Sequence, residues 1–247
     1  MQDGTHNDLL ASLAAEDYAL LRPHLTRVHL EQHSVLQEAA RPIEDIFFPL
    51  EGMVSVVASF PTGQEIEIAG IGREGAIGTK VGLLPQVAFA TAVVQLPGVA
   101  LKMPLSQFQK VAVGNVAITH IATCANDVMM ANLQQAAACN AVHSAEARLA
   151  RWLLHAQDRY PHDKLPLTQE YMAQMLGVRR TTVSVAAGTL EEQGLLKTRR
   201  GHVQIVDKEG LEKMACGCYR IVKTNIEIIV DAAKRAKDAP KAESSVF

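Results

Sequence analysis

Residues 167–206 read LTQEYMAQMLGVRRTTVSVAAGTLEEQGLLKTRRGHVQIV. Thr168 can cap a helix start, because its hydroxyl can accept a bond from an otherwise unpaired backbone N–H. Met172, Ala173, Met175 and Leu176 then recur as one apolar face of a short helix. Gly177 follows, the residue type that ends helices in the left-handed conformation. From Arg179 a second helical pattern runs, with Val183, Ala186, Ala187 and Leu190 on one side. Arg179, Arg180, Thr181, Thr182 and Ser184 mostly face the other way. Gly194 closes that helix. Two apolar runs, 195–196 and 203–206, flank Lys197-Thr198-Arg199-Arg200-Gly201-His202, a hairpin with a basic tip. Helix, four-residue turn, helix and basic hairpin make a winged helix-turn-helix, whose second helix is shaped for the major groove of double-stranded DNA. A helical hairpin with merely solvated arginines is the alternative. It leaves unexplained why the outward side carries Arg, Thr and Ser, the types that bond bases and phosphates.

The net charge of the 247-residue chain is −2, which does not by itself announce a nucleic-acid partner. The distribution says more: residues 168–202 hold five Lys/Arg against three Asp/Glu, so that segment is locally basic. A 48% hydrophobic content suits a globular chain with one large or two ordinary domains. There is no run of 18 uncharged apolar residues, so no membrane partner is expected. Residues 1–8 have neither a basic n-region nor an apolar h-region, so no signal peptide is expected and the expected location is cytoplasmic. Structural disulfides are not expected of Cys124, Cys139, Cys216 and Cys218 there. Cys216-Gly217-Cys218 lacks a second pair at ordinary zinc spacing and reads as two small, partly buried thiols, so the expectation is no metal and no cofactor. His24, His29 and His33 share no helical face and read as exposed. Nothing resembles HExxH, a P-loop or GxSxG, so no enzyme is expected.

Working outward from residues 167–206, residues 7–21 read as a helix capped by Asn7. Residues 25–103 read as short strands between Gly/Pro turns: 46–48 ended by Pro49, 53–59, 65–68, then 90–96 and 99–103 about Pro97-Gly98. That is an antiparallel barrel or sandwich. Residues 105–142 read as a long helix. A 3-4-3-4 seam through Ile118, Ile121, Ala125, Val128, Asn132, Gln135, Cys139 and Val142 has coiled-coil spacing and predicts a homodimer. Packing on the chain's own strands is the other use of that face. Ser144 caps the next helix, 145–159, with Trp152 as a core anchor. Helix broken near Gly217 follows the wing over 207–230, and 238–247 has the composition of a disordered tail.

Strand-rich domain, long helix and winged helix, in that order, resemble the Crp/Fnr family of bacterial transcription regulators. The most specific stretch is MLGVRRTTVSVAAGTLEEQGLL, with GIGREGAIG similar to the glycine-rich turn of the family's effector cassette. The resemblance implies an α+β fold: an N-terminal β-roll (a cyclic-nucleotide-binding-like jelly roll) over 1–110, a dimerisation helix over 111–143, a winged helix-turn-helix over 144–230 and a flexible tail over 231–247. It implies operator DNA bound by a homodimer, RNA polymerase contact in members that activate, and a small-molecule effector pocket at Gly75, Ile77, Gly78, Thr79, Phe89, Ala90 and Thr91. Cyclic-nucleotide-binding members carry Gly-Glu where this chain has Gly78-Thr79, and Arg-Ser or Arg-Thr near its Phe89-Ala90. A buried phosphate without a cation is costly, so cAMP and cGMP are not the expected effectors. A ligand-independent DNA binder with a vestigial pocket is the alternative. No cysteine precedes Cys124, against an N-terminal iron–sulfur cluster, and a haem would have only a lone helical His120 to use. By resemblance Arg180 reads a guanine. Thr181 and Val185 depart from the family's acidic residue and second arginine, so the family's operator does not transfer. Thr168, Gln169, Arg179, Thr182, Ser184, Arg199, Arg200 and His202 complete the expected DNA contacts.

Overall fold

The computed structural model describes residues 7–80 and 86–237. Helices α1 (Asp8–Ala11) and α2 (Ala15–Leu21) open the chain, and a 3-10 turn at Arg22–His24 leads into β1 (Thr26–Leu30) and β2 (Val35–Gln37). The single helix expected over 7–21 is therefore two. Ser12 donates its hydroxyl to the Leu9 carbonyl at 2.6 Å, and Ala14 turns extended, which stops the first helix.

Strands β3 (Asp45–Ser59), β4 (Glu65–Ile71) and β5 (Thr91–Pro104) make the sheet, ordered β1-β5-β3-β4 with β2 also on β5. Sequence punctuation divides β3 at Pro49 and β5 at Pro97-Gly98; both run through instead. Pro49 pairs with Ala100 beside a register shift, and proline is tolerated at such a bulge. A Cβ at Gly98 would run into the Glu51 carbonyl, so glycine lets the two long strands bend through each other's path.

Helices α3 (Leu105–Ala112) and α4 (Val116–Val142) replace the continuous helix expected over 105–142. Gly114 at φ 77° breaks it, and the Asn115 side chain accepts from Ile118 N at 3.0 Å to start α4. Then come α5 (Ala145–Arg159), β6 (Lys164–Leu165), α6 (Gln169–Leu176), α7 (Arg180–Glu192), β7 (Leu196–Arg199), β8 (His202–Ile205), α8 (Lys208–Met214) and α9 (Cys218–Lys237). The flexible tail expected from 231 is corrected over 231–237, where α9 runs to Lys237 and buries Ala233, with Val230, among α1, α3 and α4 side chains. Residues 238–247 lie outside the described residues.

The apolar core of the helix-turn-helix region includes Met53, Val57 and Leu96 of the sheet, so the two halves share buried surface. Polar anchors join them. Trp152 Nε1 donates to Glu67 Oε1 at 3.0 Å, Ser55 donates to the other Glu67 oxygen, and Gln174 Nε2 donates to Glu65 Oε2 at 2.9 Å. Trp152 is thus a core residue that also clamps the sheet. Burial raises the Glu67 pKa, opposed by the Ser55 and Trp152 bonds. Arg159 of α5 meets Glu74, in the loop after β4, through Nε at 2.8 Å and Nη2 at 2.7 Å. Both side chains of that pair are nearly buried, at 6% and 10% exposure.

Removing one partner of such a pair strands the other charge. Arg159→Leu is expected to cost about 3–5 kcal/mol in urea unfolding, and adding Glu74→Leu should recover much of that loss.

Candidate nucleic-acid interface

Thr168 caps α6, its hydroxyl accepting from Tyr171 N at 3.1 Å. Gly177 ends α6 at φ 63°, the left-handed cap anticipated for this turn. The turn to α7 spans three residues, with Arg179 as N-cap of α7 rather than its first helical residue. Met172, Ala173, Met175 and Leu176 of α6 and Val183, Ala186, Ala187 and Leu190 of α7 are buried together. That burial leaves Arg180, Thr181, Ser184 and Val185 on the exposed side of α7. Thr182 is half-buried, turned toward the β3–β4 hairpin in a groove it lines with Gln64, Glu65 and Arg179.

An open cleft of about 540 Å³ lies between the starts of α6 and α7 and the hairpin β7–β8. It gathers Thr168, Gln169, Arg180, Arg199, Arg200 and His202. Ser184 Oγ bonds Gln169 Oε1 at 2.8 Å at its edge. Arg180 rests against Glu170 at 3.7 Å, a loose exposed pair that a stronger anion can displace. The wing is held by residues that sequence reading passed over. Thr198 donates to both Glu191 oxygens, from N at 3.0 Å and from Oγ1 at 2.7 Å. Those bonds, led by the hydroxyl, lower the Glu191 pKa. Glu191 also lies 3.8 Å from Arg199 Nη1, so the same carboxylate orients the wing arginine. An acidic residue in the last turn of a helix, just before a strand, is too common a pattern to flag this role from sequence.

A second cavity, of about 280 Å³, lies between the sheet and α4. Of the expected effector residues it is lined by Ile77, Gly78, Thr79, Phe89 and Ala90. Gly75 instead faces Ile71 and Val128, and the Thr91 hydroxyl accepts from Ala39 N at 3.2 Å. The expectation of a cation-free cavity is corrected by Lys80. Its ammonium donates to the Val87 carbonyl at 2.7 Å and sits 3.8 Å from the centre of the Phe89 ring. Burial lowers the Lys80 pKa.

The seam Ile118, Ile121, Ala125, Val128, Asn132 and Cys139 is buried within one chain, against β4, the N-terminal helices and α9. Gln135 of the same seam donates to Cys218 Sγ at 2.9 Å, and Val142 is exposed. This face of α4 is therefore occupied, which corrects its reading as a free dimer face; a partner helix would need the other side. His120 Nε2 lies 3.6 Å from Cys124 Sγ on the same helix, so the lone histidine has a protein neighbour. The two cysteines of the C-x-C pair are not isolated either: Cys139 of α4 and His143, which caps that helix, converge on them.

A family model described as a cyclic nucleotide-binding domain matches residues 27–115, and one described as a Crp-like helix-turn-helix domain matches residues 147–214. Together they cover well over half of the chain. FixK2 from Bradyrhizobium japonicum is similar in structure, at TM-score 0.66 and 16% identity over 78% of this chain and 98% of its own. A transcriptional regulator of the CRP family from Thermus thermophilus is similar at TM-score 0.63 and 20% identity, over 76% and 96%. The c-di-GMP responsive regulator CLP of Xanthomonas campestris is similar at TM-score 0.63 and 14% identity, over 78% and 100%. No curated protein sequence matches the chain significantly.

The wing contact has a pH signature. The folded-state pKa of Glu191 is depressed, so its contribution is present above the unfolded-state value and disappears as pH falls through the folded-state value, below 4.5. Glu191→Ala should accelerate amide exchange at Thr198 at neutral pH. The wild-type chain should show that acceleration only on acidification, read by hydrogen exchange with residue resolution.

Proposed function

The chain belongs to the Crp/Fnr family of transcription regulators, and from that premise we propose that it reads a palindromic operator as a homodimer, with α7 in the major groove. The observation that carries this reading is the open cleft that gathers Arg180 of α7 with Arg199 and Arg200 of the wing, Thr181 and Ser184 being exposed on the same helix. Arg180 can offer two N–H groups to guanine O6 and N7. Thr168 and Gln169 at the start of α6, with Arg179, Ser184, Arg199, Arg200 and His202, supply backbone and base-edge contacts. Val185 is apolar and 66% exposed, a surface suited to a thymine methyl rather than to a phosphate.

Dimerisation uses the outward side of α4 in this reading. Thr123, Asn126, Met130, Leu133 and Ala137 recur at alternating spacings of three and four there, and all but the half-buried Leu133 are exposed. Asn126 and Leu133 also line the cavity under the sheet, so a partner helix would close its mouth. The effector is then a small molecule other than cAMP or cGMP, seated among Ile77, Gly78, Thr79, Phe89 and Ala90. The lining there is mostly apolar, with Gln37, Thr79, Lys80 and Asn126 as its polar points. Gln37 Oε1 is buried without a partner, which favours a ligand bearing a hydrogen-bond donor. A ligand-independent regulator is the second reading, favoured by the modest size of this cavity. The sensor-like part spans 1–110, the dimer helix 111–143 and the DNA-reading part 144–230. RNA polymerase contact, a cytoplasmic location and the lack of catalysis follow the family reading.

Arg180→Ala should cost about 1–3 kcal/mol on operator DNA and little on random DNA, relaxing specificity at one base pair of each half-site. Arg199→Ala should weaken both and reduce the salt slope by about one. Equal losses on the two DNAs for Arg180→Ala would sink the base-reading assignment. In isothermal titration cAMP should give no micromolar-range binding; such binding would overturn the effector reading.

A further inference from the structure

Cys139 stands in the last turn of α4, and His143 caps that helix in an extended conformation, its backbone N–H donating to the Cys139 carbonyl. Cys216 lies in the link after α8, and Cys218, just past Gly217, is the first residue of α9. The four donor atoms lie within 4.8 Å of one another. Cys139 and Cys216 Sγ are 3.4 Å apart, and Cys218 Sγ is 3.6 Å from His143 Nδ1. Three of these residues are buried and the histidine is half-buried. Three thiols and an imidazole gathered from segments more than 70 residues apart are more than a packing requirement, because alanine or valine would fill the same space.

We propose that Cys139, His143, Cys216 and Cys218 form a structural zinc site. A tetrahedral zinc ion with Zn–S near 2.3 Å holds its sulfurs roughly 3.8 Å apart, so the existing spacings need only small adjustment. Thiolate-rich tetrahedral donors select zinc over the hard cations. Binding converts three thiols to thiolates and releases three protons, leaving a site of net charge −1 around a dipositive ion. Arg148 and Arg151 of α5 lie close enough to act electrostatically on Cys139, and each has a buried Nε with no hydrogen-bond partner. Their positive charge offsets the site's excess. Gln135 supplies an N–H to Cys218 Sγ at 2.9 Å, the kind of supporting bond that orients a metal-bound thiolate.

The location gives the ion a structural task. Cys139 and His143 close α4, and α5 begins at Ala145, so two ligands sit at the junction into the helix-turn-helix region. The other two end that region and start α9, which packs back along α4. One ion there ties the two ends of the DNA-reading part to each other and to the long helix. The site stands on these four residues and is independent of how DNA is read.

The test uses the purified, reduced full-length chain. It should retain one zinc per chain, and cobalt(II) should give the visible bands and thiolate charge-transfer absorption of a tetrahedral site. Cys218→Ser should abolish the thiolate-rich spectrum. His143→Ala removes a half-buried side chain and should leave the fold intact while lowering zinc affinity by more than about 100-fold. Gln135→Leu should lower it about 10–100-fold. Cys124→Ser, a change outside the cluster, should leave metal binding unaltered. A reduced chain that retains no zinc and gives no cobalt bands overturns the site. So do bands that survive both Cys218→Ser and His143→Ala, or that vanish in Cys124→Ser.

Discussion

The placement of the DNA-reading unit depends on one buried polar seam between β4 and α5. Glu67 accepts from Trp152, and Glu74, just beyond β4, holds Arg159 with both side chains almost out of water. A carboxylate in that position is tolerated only while its donors stay in place. The apolar contacts around it, Met53, Val57 and Leu96 against the helix-turn-helix core, would permit sliding; hydrogen-bonded charges permit one register. The orientation of α7 relative to the sheet follows from that choice.

Helix α4 is the second shared element. Its inner side is filled by β4, α9 and the N-terminal helices, and Asn126 and Leu133 border the cavity that also holds Lys80. Its last turn and the residue that caps it, Cys139 and His143, carry two of the four metal-type donors. A single rigid helix therefore touches the effector-sized cavity, the proposed partner helix and the junction into α5. Anything that repositions α4 acts on all three, which is the physical basis for coupling a sensor domain to a DNA reader.

Local signals were legible and non-local ones were not. The Thr168 cap and the left-handed Gly177 belong to single turns, and so the helix-turn-helix could be read from its own residues. The continuity of β3 through Pro49 and of β5 through Pro97 depends on a partner strand with a bulge opposite, which no window of sequence contains. Coiled-coil spacing occurs on two sides of α4, once through Ile118, Ile121 and Ala125 and again through Thr123, Asn126 and Met130. Only packing shows that the first is the inner side. Cys216 and Cys218 lacked visible partners because those partners stand on a helix far back in the chain. Lys80 escaped notice for a related reason: its neighbours in the cavity, Val87 and Phe89, stand further along the chain.

Selection of bound sites from a random duplex pool with the purified chain separates a two-fold DNA reader from a one-site binder. A two-fold reader enriches an inverted repeat whose half-sites are centred about one helical turn, roughly 34 Å, apart. Enrichment of a single asymmetric half-site, or of no motif at all, would contradict it.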